Sequence, residues 1–188
     1  MKPNQITAPI VGRWQHDIDT DQIFPARFLL TEKRQGLGDL VFKDKPLPKG
    51  DPEQTRVLVT GKNFGCGSSR EHAVWALLDA GFRAIIAPSF GPIFKNNALK
   101  NGLIVIESSD KICKQLATFS ARPITIDLES CKITHPQLDS ERDFFLDPFS
   151  HRCLKEGWDQ LDYLLSFHKQ IESFFEKSHQ KEPIINEY

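Results

Sequence analysis

The sequence predicts an α/β fold built around a parallel β-α-β-α-β unit at about residues 56–107. Three observations carry that expectation. Short β-branched and apolar runs at 56–60, 84–87 and 103–106 have the length of buried strands. Between the first two, Ala73, Val74, Ala76, Leu77 and Ala80 recur at helical spacing, and Gly81 is a suitable stop. Between the second and third, residues 92–100 read as a short helix that ends near Gly102. Strands alternating with helices in this way run parallel and are joined by right-handed crossovers.

The flanks are less regular. Residues 5–30 hold short apolar stretches around a carboxylate-rich turn, Asp17-Ile18-Asp19-Thr20-Asp21. Residues 31–55, with Gly36, Gly38, Pro46, Pro48, Gly50 and Pro52, read as a long loop, and long loops in compact domains are commonly lids. Ile124–Leu128 and Cys131–Thr134 alternate and are expected to pair as a hairpin. Phe144–Phe149 reads as a further extended piece. Ile171, Phe174 and Phe175 suit the buried face of a C-terminal helix, with a frayed tail over 178–188. The whole chain, 1–188, is expected to be one domain.

Composition narrows the function. Hydrophobic residues at 39% and charged residues at 26% describe an ordinary soluble globular chain. The net charge of -1, with scattered Lys and Arg, argues against nucleic acid as a partner. No apolar run reaches the length of a membrane span, and the N-terminal residues lack the apolar core of a signal peptide, so a cytoplasmic location is expected. Cys66, Cys113, Cys131 and Cys153 form no C-x-x-C pair, and no metal or cluster site is expected in this chain.

The chemistry concentrates in Gly65-Cys66-Gly67-Ser68-Ser69-Arg70-Glu71-His72, between a strand and a helix. It lacks the Gly-Lys-Ser/Thr of a Walker loop, the third glycine of a dinucleotide fingerprint and the G-x-S-x-G of a nucleophile elbow. Gly65 and Gly67 permit a tight turn and close approach to a ligand. The helix N-terminus favours an anion, and Arg70 adds a fork of donors shaped for a carboxylate. Ser68 and Glu71 also match a capping box, so the same residues can be read as a helix start and nothing more. Cys66 reads as a small residue in a crowded turn, and His72 as a packed or surface histidine. Asp17, Asp19 and Asp21 mimic the start of a calcium loop. Gln22 and Phe28 stand where its Gly and Glu belong, which leaves carboxylates bonded to backbone N–H groups as the plain reading.

Residues 63–73, followed by Gly81-Phe82 and Ile86-Ala87-Pro88-Ser89-Phe90, resemble the small-subunit family of 3-isopropylmalate dehydratases in the aconitase superfamily. Asp19-Thr20-Asp21-Gln22-Ile23 with Pro25 and Phe28-Leu29, then Arg34 with Gly36 and Gly38, and finally 149–165 with Gly157, extend the likeness over most of the chain; residues 107–145 carry little of it. The 31–55 loop looks short for that family. The resemblance implies the swivelling β/β/α domain of aconitase as a separate chain. It also implies a large-subunit partner carrying a [4Fe–4S] cluster whose iron takes the departing hydroxyl. The implied reaction moves a hydroxyl between neighbouring carbons of a small dicarboxylic hydroxy acid, 2-isopropylmalate, through an unsaturated intermediate. By resemblance Ser68 is the base, Ser69 and Arg70 hold a substrate carboxylate, Arg34 is a second clamp, and Thr20 and Asp21 position groups at the site. Small subunits of citraconate, dimethylmalate or homoaconitate hydratases remain alternatives with the same chemistry.

Overall fold

The computed structural model describes residues 4–29, 36–47, 54–68 and 70–179. In chain order they form β1 (Gln5–Arg13), α1 (Thr20–Ile23), β2 (Arg56–Thr60), α2 (Glu71–Asp79), β3 (Phe82–Ala87), α3 (Pro92–Lys100), β4 (Ile104–Glu107), α4 (Asp110–Ala117), β5 (Pro123–Asp127), β6 (Lys132–Thr134), β7 (Arg142–Asp143), α5 (Pro148–Glu156), α6 (Gln160–Leu165) and α7 (His168–His179). One seven-stranded sheet runs β4-β3-β2-β1-β5-β6-β7. β1 to β4 are parallel, and β5 to β7 continue the sheet antiparallel from the other side of β1. The expected β-α-β-α-β unit is β2 to β4, and the expected hairpin is β5 with β6.

Period-2 alternation gives the parallel strands β2 to β4 two buried faces. Leu58, Ile85 and Val105 enter the core beneath α1, α2 and α3, whereas Val57, Val59, Ala84, Ile86, Ile104 and Ile106 enter the core shared with α4 and β5. Each fully buried Leu or Ile contributes roughly 1.5–3 kcal/mol relative to exposure, so the sheet is a rigid platform for whatever its ends carry.

β1 is the pivot. Residues 5–9 pair with β5, and Ile10 to Arg13 pair with β2. Pro9, opposite Pro123, sits where the strand changes partner, a place where a missing N–H is tolerated. Within 31–55, residues 36–47 are packed: Leu37 and Phe42 are buried, and Gly38 N donates to Asp79 Oδ2 at 2.7 Å.

Two expectations are corrected. Phe149 lies in a helix, because Asp147 caps α5 by accepting from Ser150 N at 2.9 Å and Pro148 occupies its first turn. Ile171, Phe174 and Phe175 are exposed, at 44%, 69% and 56%, rather than buried. The amphipathic pattern of α7 is present, but no described part of the chain covers these three residues.

His135 is expected to make this fold acid-sensitive. It is buried and stacked on Phe119 at 4.5 Å. Nδ1 accepts from Gln137 N, and the buried Nε2 has no partner among the described residues. Burial, reinforced by the charge of Arg122, holds its pKa below the ordinary imidazole value. The folded state thus keeps the ring neutral at a pH where the unfolded chain binds a proton. Stability is full above about pH 6.5 and falls as pH drops from there towards the lowered folded value. His135→Gln is expected to flatten the dependence of Tm on pH between about 7 and 5. An unchanged slope would mean that His135 does not carry it.

Candidate active site

The site grows from the C-terminal ends of the parallel strands, where open α/β sheets commonly bind ligands. β1 and β2 part after the pair Arg13↔Thr60 and meet again, in the same register, at the bridge Asp19↔Cys66. Between and around these points the 17–20 segment bonds to the 62–68 segment. Asp17 N donates to Lys62 O at 2.9 Å, Gly65 N to Ile18 O at 2.7 Å, Thr20 N to Cys66 O at 3.0 Å and Thr20 Oγ1 to Ser68 O at 3.1 Å. On the other side, Phe64 bridges to Phe90, and Gly91 N donates to Phe64 O at 2.8 Å. The turn is therefore clasped between two loops.

The glycines act differently. Gly65 has φ +72, and a Cβ there would lie 2.2 Å from Cγ of the buried Phe94. Gly67 has φ +93 but more room, with Asp19 Cβ 3.5 Å away from the same hypothetical atom. Close approach fixes the first, and backbone conformation the second. A third glycine, Gly91, escaped sequence reasoning: a Cβ there would stand 2.5 Å from Gly65 O.

Ser68 is exposed beyond this clasp, its carbonyl held by Thr20 Oγ1 and by Arg70 N at 2.9 Å. The expected capping box does not form. α2 begins at Glu71, with Arg70 as N-cap and no side-chain cap bond from it. Glu71 is taken by Asn101, whose Nδ2 donates to Oε1 at 2.8 Å. Ser68 thus precedes the helix, and the α2 N-terminus remains a local positive end that favours an anion. His72 packs between Phe24 and Trp75, as ring-to-ring distances of 6.1 and 4.8 Å show.

Arg70 is mostly buried, at 19% side-chain exposure, and its Nη1 is ion-paired with Asp21 Oδ1. The same oxygen accepts from Ala26 N at 3.2 Å. Hydrogen bonding from Arg70, more than its charge alone, holds the Asp21 carboxyl below the usual carboxylate range. The pair therefore persists above the ordinary carboxylate pKa and is lost as pH falls through the lowered value. Thr20, 1% exposed, bonds to the turn's backbone. Thr20 and Asp21 accordingly support the turn and Arg70 in this structure. Asp19 accepts from Gln22 N at 2.7 Å, the backbone-bonded carboxylate turn read from the sequence. Arg34 and Ser69 lie outside the described residues.

Cys66 is half-buried, and burial, then Asp19 and Asp17, push its thiol up. That disfavours the thiolate a nucleophile or metal ligand requires. Among the described residues no group of three or more His, Cys, Asp or Glu could hold a metal ion, and the four cysteines are unpaired. An iron–sulfur cluster does not fit the described residues of this chain. No helix among them is long and apolar enough to cross a membrane.

A clasped, glycine-shaped turn ahead of a helix, carrying a serine and an arginine oriented by Asp21, thus stands at the C-terminal ends of the parallel strands of a mixed sheet. Residues 48–111 match the family described as "Aconitase C-terminal domain". A 3-isopropylmalate dehydratase small subunit from Roseiflexus castenholzii is 43% identical over 93% of this chain and 92% of its own length. One from Francisella tularensis subsp. novicida is 41% identical over 93% of this chain and 96% of its own. The solved 3-isopropylmalate dehydratase chain of Methanocaldococcus jannaschii is 31% identical with a TM-score of 0.73, covering 90% of this chain and 98% of that one. The chain belongs to the family of 3-isopropylmalate dehydratase small subunits.

Proposed function

We propose that this chain is the cytoplasmic small subunit of a two-subunit hydro-lyase that isomerises 2-isopropylmalate to 3-isopropylmalate, through 2-isopropylmaleate, in leucine biosynthesis. The observation that carries the reading is the exposed Ser68 on a clasped turn beside an Arg70 held by Asp21. The large subunit carries the [4Fe–4S] cluster, and the two chains together enclose the substrate.

The reaction removes a proton from a carbon next to a carboxylate, and such a proton is weakly acidic. A positioned base and stabilised negative charge are both required. Ser68, as an alkoxide, takes the proton onto Oγ. The α2 N-terminus and the Arg70 guanidinium lower the cost of that alkoxide. The hydroxyl departs on the partner's side, and one proton and one hydroxyl are then added back across the double bond with the two carbons exchanged. Ser69 and Arg70 hold one carboxylate, and Arg34, in the 31–55 loop, clamps the second as the loop closes. Thr20 and Asp21 keep the turn and Arg70 in place.

Arg70→Lys keeps a charge but loses the fork, and KM for 3-isopropylmalate is expected to rise about tenfold, the effect of roughly one charge-assisted hydrogen bond. An unchanged KM would remove Arg70 from substrate binding. The substrate class is tested by a panel on the complex with the large subunit. Turnover of isopropylmalates well above that of citramalate, dimethylmalate or homoaconitate is expected, and equal or faster turnover of one of those would overturn the assignment.

A further inference from the structure

Two residues at the root of the turn have no part in the chemistry above. Asp17 and Asn63 both lie in the left-handed backbone region, at φ +52 and +57. They are two of five non-glycine residues with positive φ among those described, and they face one another. Asn63 Nδ2 donates to Asp17 Oδ1 at 2.8 Å. Asn and Asp tolerate this conformation better than other side-chain-bearing residues, and residues so held cluster where a backbone is pre-set for function.

Their position gives the bond its meaning. Asn63 N donates to Ser89 Oγ at 2.9 Å, while Asp17 N donates to Lys62 O. One side-chain bond thus joins the 17–20 and 62–68 segments at a point tied to the 88–91 loop. It stands at the start of the ladder that ends with Thr20 Oγ1 on Ser68 O. Parallel segments joined mainly through backbone bonds can slip, and a slip of one residue moves a side chain by about 3.3 Å and reverses its face. Such a shift would take Ser68 out of reach of a substrate carbon, since displacements near 1 Å already cost about 100-fold in rate.

We infer that Asp17 and Asn63 are a positioning pair, which locks the register of the turn and thereby sets the placement of Ser68, while Arg70 is held separately by Asp21. The inference rests on the reading of Ser68 as the base, and Ser68→Gly is therefore measured alongside.

The test uses the complex with the large subunit, with kcat and KM for 3-isopropylmalate normalised to assembled complex. Asn63→Asp sets two carboxylates against each other in a conformation aspartate still accepts, and kcat is expected to fall about tenfold or more with KM within about twofold. Exchanging the partners, Asp17→Asn with Asn63→Asp, restores a donor facing a carboxylate and is expected to recover kcat to within about threefold of wild type. Asn63→Gly keeps the positive φ relaxed and removes the side chain with its amide; a fall in kcat of about threefold to tenfold is expected. It also keeps the test open if Asn63→Asp does not fold. Wild-type kcat in Asn63→Gly, a loss confined to the amount of assembled complex, or no recovery in the exchanged pair would each overturn the inference. Were Ser68→Gly active while Asn63→Asp was slow and rescued by exchange, the pair would still position the turn, and the base would lie elsewhere.

Discussion

Replacing Ser68 with glycine is expected to reduce turnover of the assembled complex about 100-fold or more, the contribution of a positioned general base. The same change should leave stability nearly untouched. Ser68 lies ahead of the Arg70 N-cap, and its structural bonds run through its backbone carbonyl. Serine acting only as a cap would keep turnover in both variants, with a loss of about 1 kcal/mol in Ser68→Ala and only a few tenths in Ser68→Gly. The two outcomes separate in one pair of experiments, a denaturant titration of the chain and a steady-state assay of the complex. Ser68→Ala serves as the second variant, because it keeps a Cβ and removes only the hydroxyl.

Gly65→Ala is expected to have the largest effect on the fold. The new Cβ would fall 2.2 Å from Phe94 Cγ and 2.6 Å from Phe94 Cβ, the root of a buried ring that cannot swing away. Left-handed backbone adds a further cost of about 1–2 kcal/mol for any side chain, and overpacking typically 1–3 kcal/mol, so a loss of about 3 kcal/mol is expected. Gly67→Ala meets nothing nearer than 3.5 Å and should lose only about 1 kcal/mol. The denaturation midpoints of the two variants check the difference. Equal midpoints would mean that Phe94 yields and that the clasp around the turn is looser than its geometry indicates.

Much of this architecture was legible in the sequence because its buried strands and helices have distinct periods. Val57, Leu58 and Val59 read as a strand covered on both faces, and they are. β1 was harder to read, because Pro9 speaks against a strand unless the change of partner at that point is known. α4 is only 8 residues long, with Cys113 and Leu116 its fully buried ones, and gave too short a stripe. At α5 a usable signal was present in Asp147-Pro148, a cap followed by a first-turn proline, but the aromatic run around it suggested an extended piece.

The site divides in the same way. The glycines, Ser68 and Arg70 stand together in one motif and declare themselves. The register between 17–20 and 62–68, the clash that fixes Gly91 and the capture of Glu71 by Asn101 depend on residues far apart in the chain. A local pattern such as Ser-x-x-Glu cannot reveal that a distant amide has taken its glutamate.

The most direct test of the account is to titrate the cluster-loaded large subunit with this chain, without oxygen, and follow formation of 2-isopropylmaleate from 3-isopropylmalate. Activity is expected to rise from near zero and saturate at a fixed ratio of the two chains, while this chain alone shows none. Turnover by the large subunit that is independent of added chain, or an unchanged rate when the added chain carries Ser68→Gly, would contradict the claim that the base resides here.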